Sequence, residues 1–361
     1  MSVLIAMSGG VDSSVSAYLM TRKHETCKGA TMLLYLNEAL GISSRHPCCS
    51  RENIVDAKAV CDVLGIEHEV LNYMNDFEER VIRKFVDTYE HGGTPNPCID
   101  CNRYMKFSSM LRHARNLGLD NIATGHYARI EQDTSGRYLL KKAKDLSRDQ
   151  SYVLYMLTQE QLSRTEFPLG SMLKPEVRDL AESLGFANAR KHDSQDICFV
   201  PDGDYGSFIG SYTGKEYLPG NFVDTEGKVI GRHKGIIHYT AGQRRGLGVA
   251  AKSRLYVAEI DADRNTITLA PENDGRLYAR GVIARGINII AADRLNAPVN
   301  AYVKTRYRQK EIPARITQTG QDELMIEFAE VQRVPAVGQA AVIYDGDVVI
   351  GGGTIYAALR T

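Results

Sequence analysis

The sequence predicts an α/β fold: a doubly wound parallel sheet over residues 1–202, then a small central domain over 203–276 and a C-terminal β-barrel over 277–361. Three observations carry this. Short apolar runs alternate with helical patterns through the first third of the chain. A Gly- and Tyr-rich stretch from Asp202 to Gly248 then changes the texture. From about Ala279 onward the chain reads as strands separated by Pro, Gly and Asp turns, as in a small barrel.

Val3–Met7 reads as the first strand, Ser13–Met20 as a helix and Gly29–Leu36 as the second strand. In Glu52–Leu64 the spacing of Val55, Ala59, Val60 and Val63 is helical, and Gly65 stops it. Next come a strand over Glu67–Leu71, a helix over Asp76–Tyr89, a helix over Cys101–Asn116 ended near Gly118, and a strand over Asn121–Thr124. Helical signals return at Tyr152–Leu162 and Pro175–Leu184, so the first domain extends to about Val200. Leu255–Ile260 and Thr266–Ala270 read as short strands of the central domain. No 20–50-residue repeat and no low-complexity tract interrupts the pattern.

At 361 residues, 43% hydrophobic and 24% charged, the chain can bury sizeable cores in two or three domains and does not read as disordered. The formal net charge is zero, so a polyanionic partner must meet a local basic patch rather than a bulk field. No apolar run has the length of a bilayer span, and Met1–Ile5 lacks the basic start of a signal peptide. These features point to a soluble, cytoplasmic protein without membrane partners. The seven cysteines are Cys27, Cys48, Cys49, Cys61, Cys98, Cys101 and Cys198. An odd count in such a chain argues against a disulfide framework.

Ser8-Gly9-Gly10-Val11-Asp12-Ser13-Ser14 follows the first strand directly and opens a helix. The glycines let backbone approach an anion closely, the hydroxyls add donors, and the first N–H groups of the helix bring partial positive charge. That suits pyrophosphate. It is not a Walker loop, because the Gly-Lys-Ser/Thr ending is missing. The loop resembles the PP-loop of enzymes that cleave ATP between the α and β phosphates, a superfamily that includes several synthetases and the tRNA thiolases. The loop alone does not choose among them.

Thr94-Pro95-Asn96-Pro97-Cys98-Ile99-Asp100-Cys101-Asn102 sets a CxxC at the start of a helical segment. The helix dipole and free N–H groups there favour thiolate. Cys198 follows far away in the chain. Three roles stay open: sulfur-transfer or redox thiols, metal ligands, or core. Zinc is poorly served, since no second CxxC or His pair completes a tetrahedron. Three thiolates around a 4Fe–4S cluster with one open iron are chemically reasonable. Cys27, Cys48, Cys49 and Cys61 read as packed thiols.

Ala301–Arg308 and the following Gln309 and Lys310 form a basic segment. Read as a strand, it places Lys304, Arg306, Arg308 and Lys310 on one side. That is either a ridge for a phosphate backbone, beside Arg244 and Arg245, or a solvated edge strand guarded by charge. Tyr302 and Tyr307 either stack on bases or pack in the core.

SGGVDSS, TPNPCIDCN, ATGHYAR (Ala123–Arg129), RDQSYVLY (Arg148–Tyr155), DSQDICF (Asp193–Phe199), GQRRGLG (Gly242–Gly248) and GQAAVIYDGDVVIGGGTI (Gly338–Ile355) occur in that order along essentially the whole chain. Together they resemble the bacterial tRNA-specific 2-thiouridylases, that is, tRNA-uridine 2-sulfurtransferases. The resemblance implies that Ala6, Met7, Ser8, Gly9, Gly10, Val11, Asp12, Ser13, Met32 and Gly125 hold ATP with Mg2+. It implies that Asn96, Pro97 and Cys98 touch the target base, and that His126, Arg148, Asp149, Gln150, Arg306, Tyr307 and Gln339 contact tRNA. Cys101 would be the catalytic nucleophile and Cys198 the persulfide carrier. One departure stands out: better-known members have Asp where this chain has Cys98. That removes a general acid and supplies a third thiol, so Cys98, Cys101 and Cys198 become candidate cluster ligands.

The activity so implied is ATP-dependent replacement of the 2-oxygen of a wobble uridine, in tRNAs such as those for lysine, glutamate and glutamine. The sulfur would come from a cysteine desulfurase or a relay protein. Two other readings compete. A PP-loop synthetase acting on a small carboxylate leaves the CxxC and the basic segment unexplained, and no glutaminase domain is visible. A non-catalytic iron–sulfur RNA-binding protein leaves the loop unexplained.

Overall fold

The computed structural model describes residues 1–36, 51–191, 197–200 and 202–360. Cys48, Cys49 and the first four residues of the DSQDICF motif lie outside the described residues. Two compact units emerge. One comprises Met1–Val81, Cys98–Gly203 and Gly346–Val349; the other comprises Ile82–Pro97, Asp204–Asp345 and Ile350–Thr361.

The first unit is built on a parallel sheet of β1 (Ser2–Ala6), β2 (Thr26–Leu33), β3 (Glu67–Asn72), β4 (Asn121–Ala123) and a further two-residue strand, Thr165–Glu166. Their spatial order is β3-β2-β1-β4 followed by that short strand, and all pairings are parallel. Val3, Leu4 and Ile5 are fully buried, as a strand covered on both faces requires. Helix α1 (Val11–Lys23) and helix α2 (Arg51–Leu64) cover the sheet through a core that includes Val15, Ala57, Val60 and Cys61. Each large apolar side chain withdrawn from water here contributes about 1.5–3 kcal/mol.

The strand order reverses between β1 and β4. In open α/β sheets that crevice, at the carboxyl ends of the strands, is where ligands bind. The loop after β1 and the ATGHYAR turn after β4 border it on either side.

Several sequence expectations shift. The helix expected over Tyr152–Leu162 is two pieces, a 3₁₀ turn at Ser151–Leu154 and a helix at Gln159–Ser163. Thr158 separates them as an N-cap, in a reciprocal capping box with Gln161. The helix expected from Cys101 begins at Pro97, whose missing N–H costs nothing in a first turn. It widens to π geometry over Cys101–Met110 before continuing to Asn116. The fifth strand of the sheet has no signal in the sequence, because two residues carry no periodicity.

In the second unit, Ile82–Pro97 joins residues that lie far on in sequence. Phe85 packs edge-on against Tyr205 and Phe208. Glu90 binds Lys215 at 2.8 Å and accepts from the Tyr217 hydroxyl. That carboxylate, together with burial, pushes the Tyr217 phenol up to about 12, burial being the larger cause. The central sheet comprises strands Gly220–Val223, Val229–His233, Leu255–Asp261 and Thr266–Pro271. Six further strands, Tyr278–Ile289, Val299–Lys304, Ile312–Gly320, Glu323–Arg333, Ala340–Asp345 and Val348–Arg360, form the barrel. The first pairs with the last and closes it. Val282, Val303, Ile316, Ile326 and Ile343 fill its interior.

The basic segment is not a continuous strand. The strand ends at Lys304, and Thr305 turns the chain by donating its N–H and hydroxyl to Gln309 Oε1, each at 2.8 Å. Lys304, Arg306, Arg308 and Lys310 therefore do not share one strand face. Instead Arg306, Tyr307 and Arg308 are all exposed on the turn, and Tyr302 is exposed on the strand, so neither tyrosine is a core residue. Among the described residues no helix is long and apolar enough to cross a membrane.

Candidate nucleotide and thiol site

The Gly-rich loop is shaped by three close approaches. Gly9 has φ +72°, and a Cβ there would stand 2.4 Å from the Asn53 carbonyl oxygen, so the start of α2 lies directly against the loop. A Cβ on Gly125 would stand 3.0 Å from Asp12 C and Ser13 N, bringing the turn after β4 onto the start of α1. Asn188 is buried and donates from Nδ2 to Gly9 O at 3.1 Å and to Ser14 Oγ at 2.9 Å. The loop is thus clamped from three sides.

The hydroxyls behave differently from the sequence expectation. Ser13 and Ser14 are buried, and both donate back to Gly10 O, at 2.8 and 3.0 Å. Ser13 Oγ also accepts from Ser8 N at 3.2 Å. These serines hold the loop's own shape, while Ser8 is exposed. Gly10, the N-cap residue of α1, offers no side-chain cap, so the partial positive charge of the helix start faces the crevice. Ala6 is half-buried at the end of β1, Met7 and Val11 are buried, and Met32 is half-buried near the end of β2.

Asp12 lies in the first turn of α1. Lys174 Nζ donates to both its carboxylate oxygens at 2.8 Å, and the Tyr127 hydroxyl donates to Oδ1 at 2.8 Å. Lys174 is itself buried and opens the helix Lys174–Ser183. Its backbone N–H is held by Asp145 Oδ2 at 3.0 Å.

Beside the crevice, His126 is buried between Phe107 and Phe167. Burial first, and the Lys106 charge second, hold its pKa well below the usual imidazole value. The neutral ring accepts from Lys106 Nζ at Nε2, 3.4 Å away, which leaves the Nδ1 proton to be donated to Thr124 Oγ1 at 2.7 Å. Asp149 is also buried, and its carboxylate accepts from Ala143 N, Ser151 N and Ser151 Oγ. Gln150 Oε1 accepts from Tyr127 N at 2.9 Å, and Arg148 is half-buried.

Cys98 is exposed, while Cys101 and Cys198 are half-buried. The Cys198 carbonyl accepts from the Tyr35 hydroxyl, and the adjacent Phe199 packs edge-on against Phe77 at 5.7 Å. Cys198 is thus a partly open thiol on an anchored backbone. Cys27 and Cys61 are packing residues, as expected. Burial raises the Cys27 thiol pKa and pushes Cys61 up to about 11.

Comparison with known proteins places the chain. Three family models match it in order: a tRNA methyl transferase HUP domain over residues 1–202, a tRNA methyl transferase PRC-barrel domain over 206–271, and an aminomethyltransferase beta-barrel domain over 279–355. The tRNA-specific 2-thiouridylase of Clostridioides difficile is 45% identical over 358 residues, covering 99% of this chain and 98% of that protein. Those of Acetivibrio thermocellus and Geotalea uraniireducens are 46% and 47% identical, covering 98% and 99% of this chain and 98% and 96% of theirs. The chain belongs to the tRNA-specific 2-thiouridylase family.

The loop after β1 and the Gly125 turn lie against each other within residues 1–202, the part matched by the family's HUP-domain model. The iron–sulfur expectation fares worse. Among the described residues no three His, Cys, Asp or Glu side chains form a group that could hold a metal ion, so nothing in them supports Cys98, Cys101 and Cys198 as ligands of one cluster. For Mg2+, which is commonly held by one or two carboxylates together with nucleotide phosphates, the candidate holder is Asp12, in the first turn of α1.

In the second unit, Gln339 Nε2 donates to Thr94 O and Pro95 O at 3.0 and 3.1 Å and so fixes the approach to Asn96 and Pro97. Arg306 comes near the GQRRGLG loop, its guanidinium 3.5 Å from where a Cβ on Gly242 would lie. Arg244 and Arg245 are exposed on that loop. Arg244 and Arg254 also border a cavity of about 290 Å³ together with Leu247 and Val249. The residues that sequence reasoning missed are Lys174, Asn188 and Tyr35. Only tertiary structure brings them to the loop or to Cys198, so no local motif announced them.

Proposed function

We propose that this 2-thiouridylase replaces the 2-oxygen of the wobble uridine of tRNA with sulfur, consuming ATP and releasing AMP and pyrophosphate. The observation that carries this reading is the loop at the β1/β4 switch point, built for a pyrophosphate, in a chain similar from end to end to named tRNA 2-thiouridylases.

Uracil O2 is a poor leaving group, so the reaction begins by transferring the AMP moiety of ATP to it. The N-terminus of α1 and the backbone around Gly9 and Gly10 cradle the departing pyrophosphate. Asp12 would hold Mg2+ together with the nucleotide, and the ion would supply positive charge for the phosphates. Cys198 carries the sulfur as a persulfide received from a cysteine desulfurase or relay protein. Its terminal sulfur attacks C2, and AMP leaves with the former O2. The Cys101 thiolate then attacks Cys198 Sγ, releasing 2-thiouridine and leaving a Cys101–Cys198 disulfide, which a cellular dithiol reduces. Asn96–Cys98 approach the target base, and the exposed Arg306, Tyr307, Arg244 and Arg245 receive the tRNA backbone, supported by their shared exposure on one unit.

The test is direct. Purified chain, ATP, a sulfur source and tRNA should yield AMP only when tRNA is present, and 2-thiouridine should be detected by mass spectrometry of the digested tRNA. AMP formation indifferent to tRNA would sink the reading in favour of a small-substrate synthetase.

A further inference from the structure

We propose that the cavity between Arg244 and Arg254, in the loop that carries the GQRRGLG motif, is a second RNA subsite: it takes one unstacked nucleotide of the tRNA, other than the uridine that is thiolated. This rests on the reading of the chain as an enzyme acting on tRNA. It adds a place where the RNA is held by a base as well as by its backbone.

The charge here is local. From Gly242 to Ala258 the chain places Arg244, Arg245, Lys252 and Arg254 without a single Asp or Glu, although its formal net charge is zero. All four cations are exposed. Among the described residues none of them forms an ion pair, whereas Arg285, Arg333 and Arg360 elsewhere in the same unit are each paired with a glutamate. A guanidinium fork without a carboxylate is available to a phosphate.

The fold sets that charge around a cavity. Gly242 N donates to Val257 O at 2.8 Å and Val257 N donates to Gln243 O at 2.9 Å, which ties the start of the loop to Leu255–Asp261, one edge strand of the central sheet. Val249 reaches the other edge strand, Val229–His233, where a Cβ on Gly231 would stand 2.9 Å from Val249 Cγ2. Gln243 braces the turn, accepting from Thr240 N and donating to Arg245 O, each at 3.0 Å. The span so anchored borders about 290 Å³. Leu247 is buried and Val249 half-buried, so the walls are apolar where the two arginines at the cavity are exposed.

That combination selects the ligand. Cations alone serve a passing phosphate backbone, which has no use for an apolar hollow. Ligand pockets run from about 300 to 1,000 Å³, so this one has room for a single base-sized group and none for a duplex. A base that has left its stack can lie against the aliphatic walls and under a guanidinium plane, while the phosphates on either side of it meet Arg244 and Arg254. The Ser253 hydroxyl, donor and acceptor at once, can bond to the edge of any base, so the subsite selects an unstacked nucleotide rather than a sequence.

The experiment separates base from backbone. Affinity of the full chain for an unmodified tRNA transcript is measured by filter binding across a salt series, for wild type, Ala251→Leu and Arg254→Ala. Ala251 is an exposed residue of the cavity lining, and leucine there fills the space without touching a charge. Ala251→Leu should weaken tRNA binding roughly tenfold at an unchanged salt slope, because the base is excluded while the cations remain. Arg254→Ala should weaken binding and lower the slope by about one. In 2′-hydroxyl acylation of the bound tRNA, one nucleotide away from the wobble position should gain reactivity with wild type and not with Ala251→Leu. A folded Ala251→Leu that binds tRNA as wild type does would overturn the proposal and leave a charged surface only. If thermal unfolding shows that variant misfolded, Ser253→Leu fills the same cavity and decides by the same readouts. Wild type that binds no tRNA would sink the tRNA reading itself, whereas normal wild-type binding with an indifferent Ala251→Leu sinks the subsite alone.

Discussion

Gly125 lies so close to Asp12 that a single added carbon would stand 3.0 Å from the Asp12 carbonyl carbon and 3.2 Å from its Cβ. The turn after β4 and the start of α1 are therefore one packed unit, in which a side chain at 125 presses the Gly-rich loop by a few tenths of an ångström. Gly125→Ala should cost about 1–3 kcal/mol of stability through overpacking. It should also raise the KM for ATP in AMP formation while leaving tRNA affinity, measured by filter binding, near wild type. An unchanged KM would mean that the approach does not shape the nucleotide site.

The loop, its strand and its helix were legible because they are contiguous: Ser8–Ser14 carries its own strand-to-helix context. The barrel texture was legible too, through alternation broken by Pro, Gly and Asp. What escaped depends on partners distant in sequence. Lys174 and Asn188 reach Asp12 and Gly9 across more than 160 residues, and no local periodicity encodes that. The three cysteines show the converse. Their types suited a cluster, but ligation needs convergence, and spacing along the chain does not report convergence between Cys101 and Cys198. The strand expected over Ala301–Lys310 fails for a local reason: Gln309 captures Thr305 and bends a segment whose charges alternate like a strand.

Asn188 is the loop's clamp. Replacing it with Ala leaves Gly9 O and Ser14 Oγ without their amide donor in a buried setting, which costs about 1–3 kcal/mol. Asn188→Ala should therefore lower Tm and weaken ATP binding together. A variant with wild-type Tm and ATP affinity would show that the loop keeps its shape without the clamp.

His126 sets a pH dependence. Its folded pKa is depressed, so below about pH 6.5 the unfolded chain binds a proton that the folded one refuses. Stability present at neutral pH is accordingly lost as pH falls below the unfolded value, with a slope of up to about 1.4 kcal/mol per pH unit from this group. His68, His233 and His238 are shifted down by burial as well, so the comparison must be between variants. His126→Asn, which can still donate to Thr124 Oγ1, should flatten the fall in urea-unfolding stability between pH 7 and 5 relative to wild type. Parallel profiles for the two proteins would assign the acid sensitivity elsewhere.

Arg306 and Arg244 are exposed and lie on neighbouring segments of the second unit. Removing one phosphate-binding cation lowers the dependence of log affinity on log salt by about one. Arg306→Ala and Arg244→Ala should each weaken tRNA binding and flatten that slope, with ATP binding untouched. A salt slope equal to wild type in both would return these residues to the role of solvated surface charges.

The sharpest question is Cys98, the exposed third thiol. A cluster would need Cys98, Cys101 and Cys198 as joint ligands, and the described residues assemble no such set. Sulfur relay needs only two thiols, one to carry the persulfide and one to resolve it. Cys198 suits the first task, being half-buried on a backbone anchored by Tyr35 and Phe77, and Cys101 suits the second, being half-buried near the start of its helix. Cys98, the exposed one, is then dispensable as a ligand. Cys98→Asp, purified anaerobically and iron-free, should retain thiolation with a persulfide donor, whereas Cys101→Ser and Cys198→Ser should each abolish it. Mass spectrometry should find one extra sulfur, on Cys198, in Cys101→Ser after exposure to the donor, because the carrier loads but cannot be resolved. Loss of iron and of thiolation together in Cys98→Asp, with no persulfide on Cys198, would reverse the assignment. The three cysteines would then have to converge in a conformation other than the one seen here.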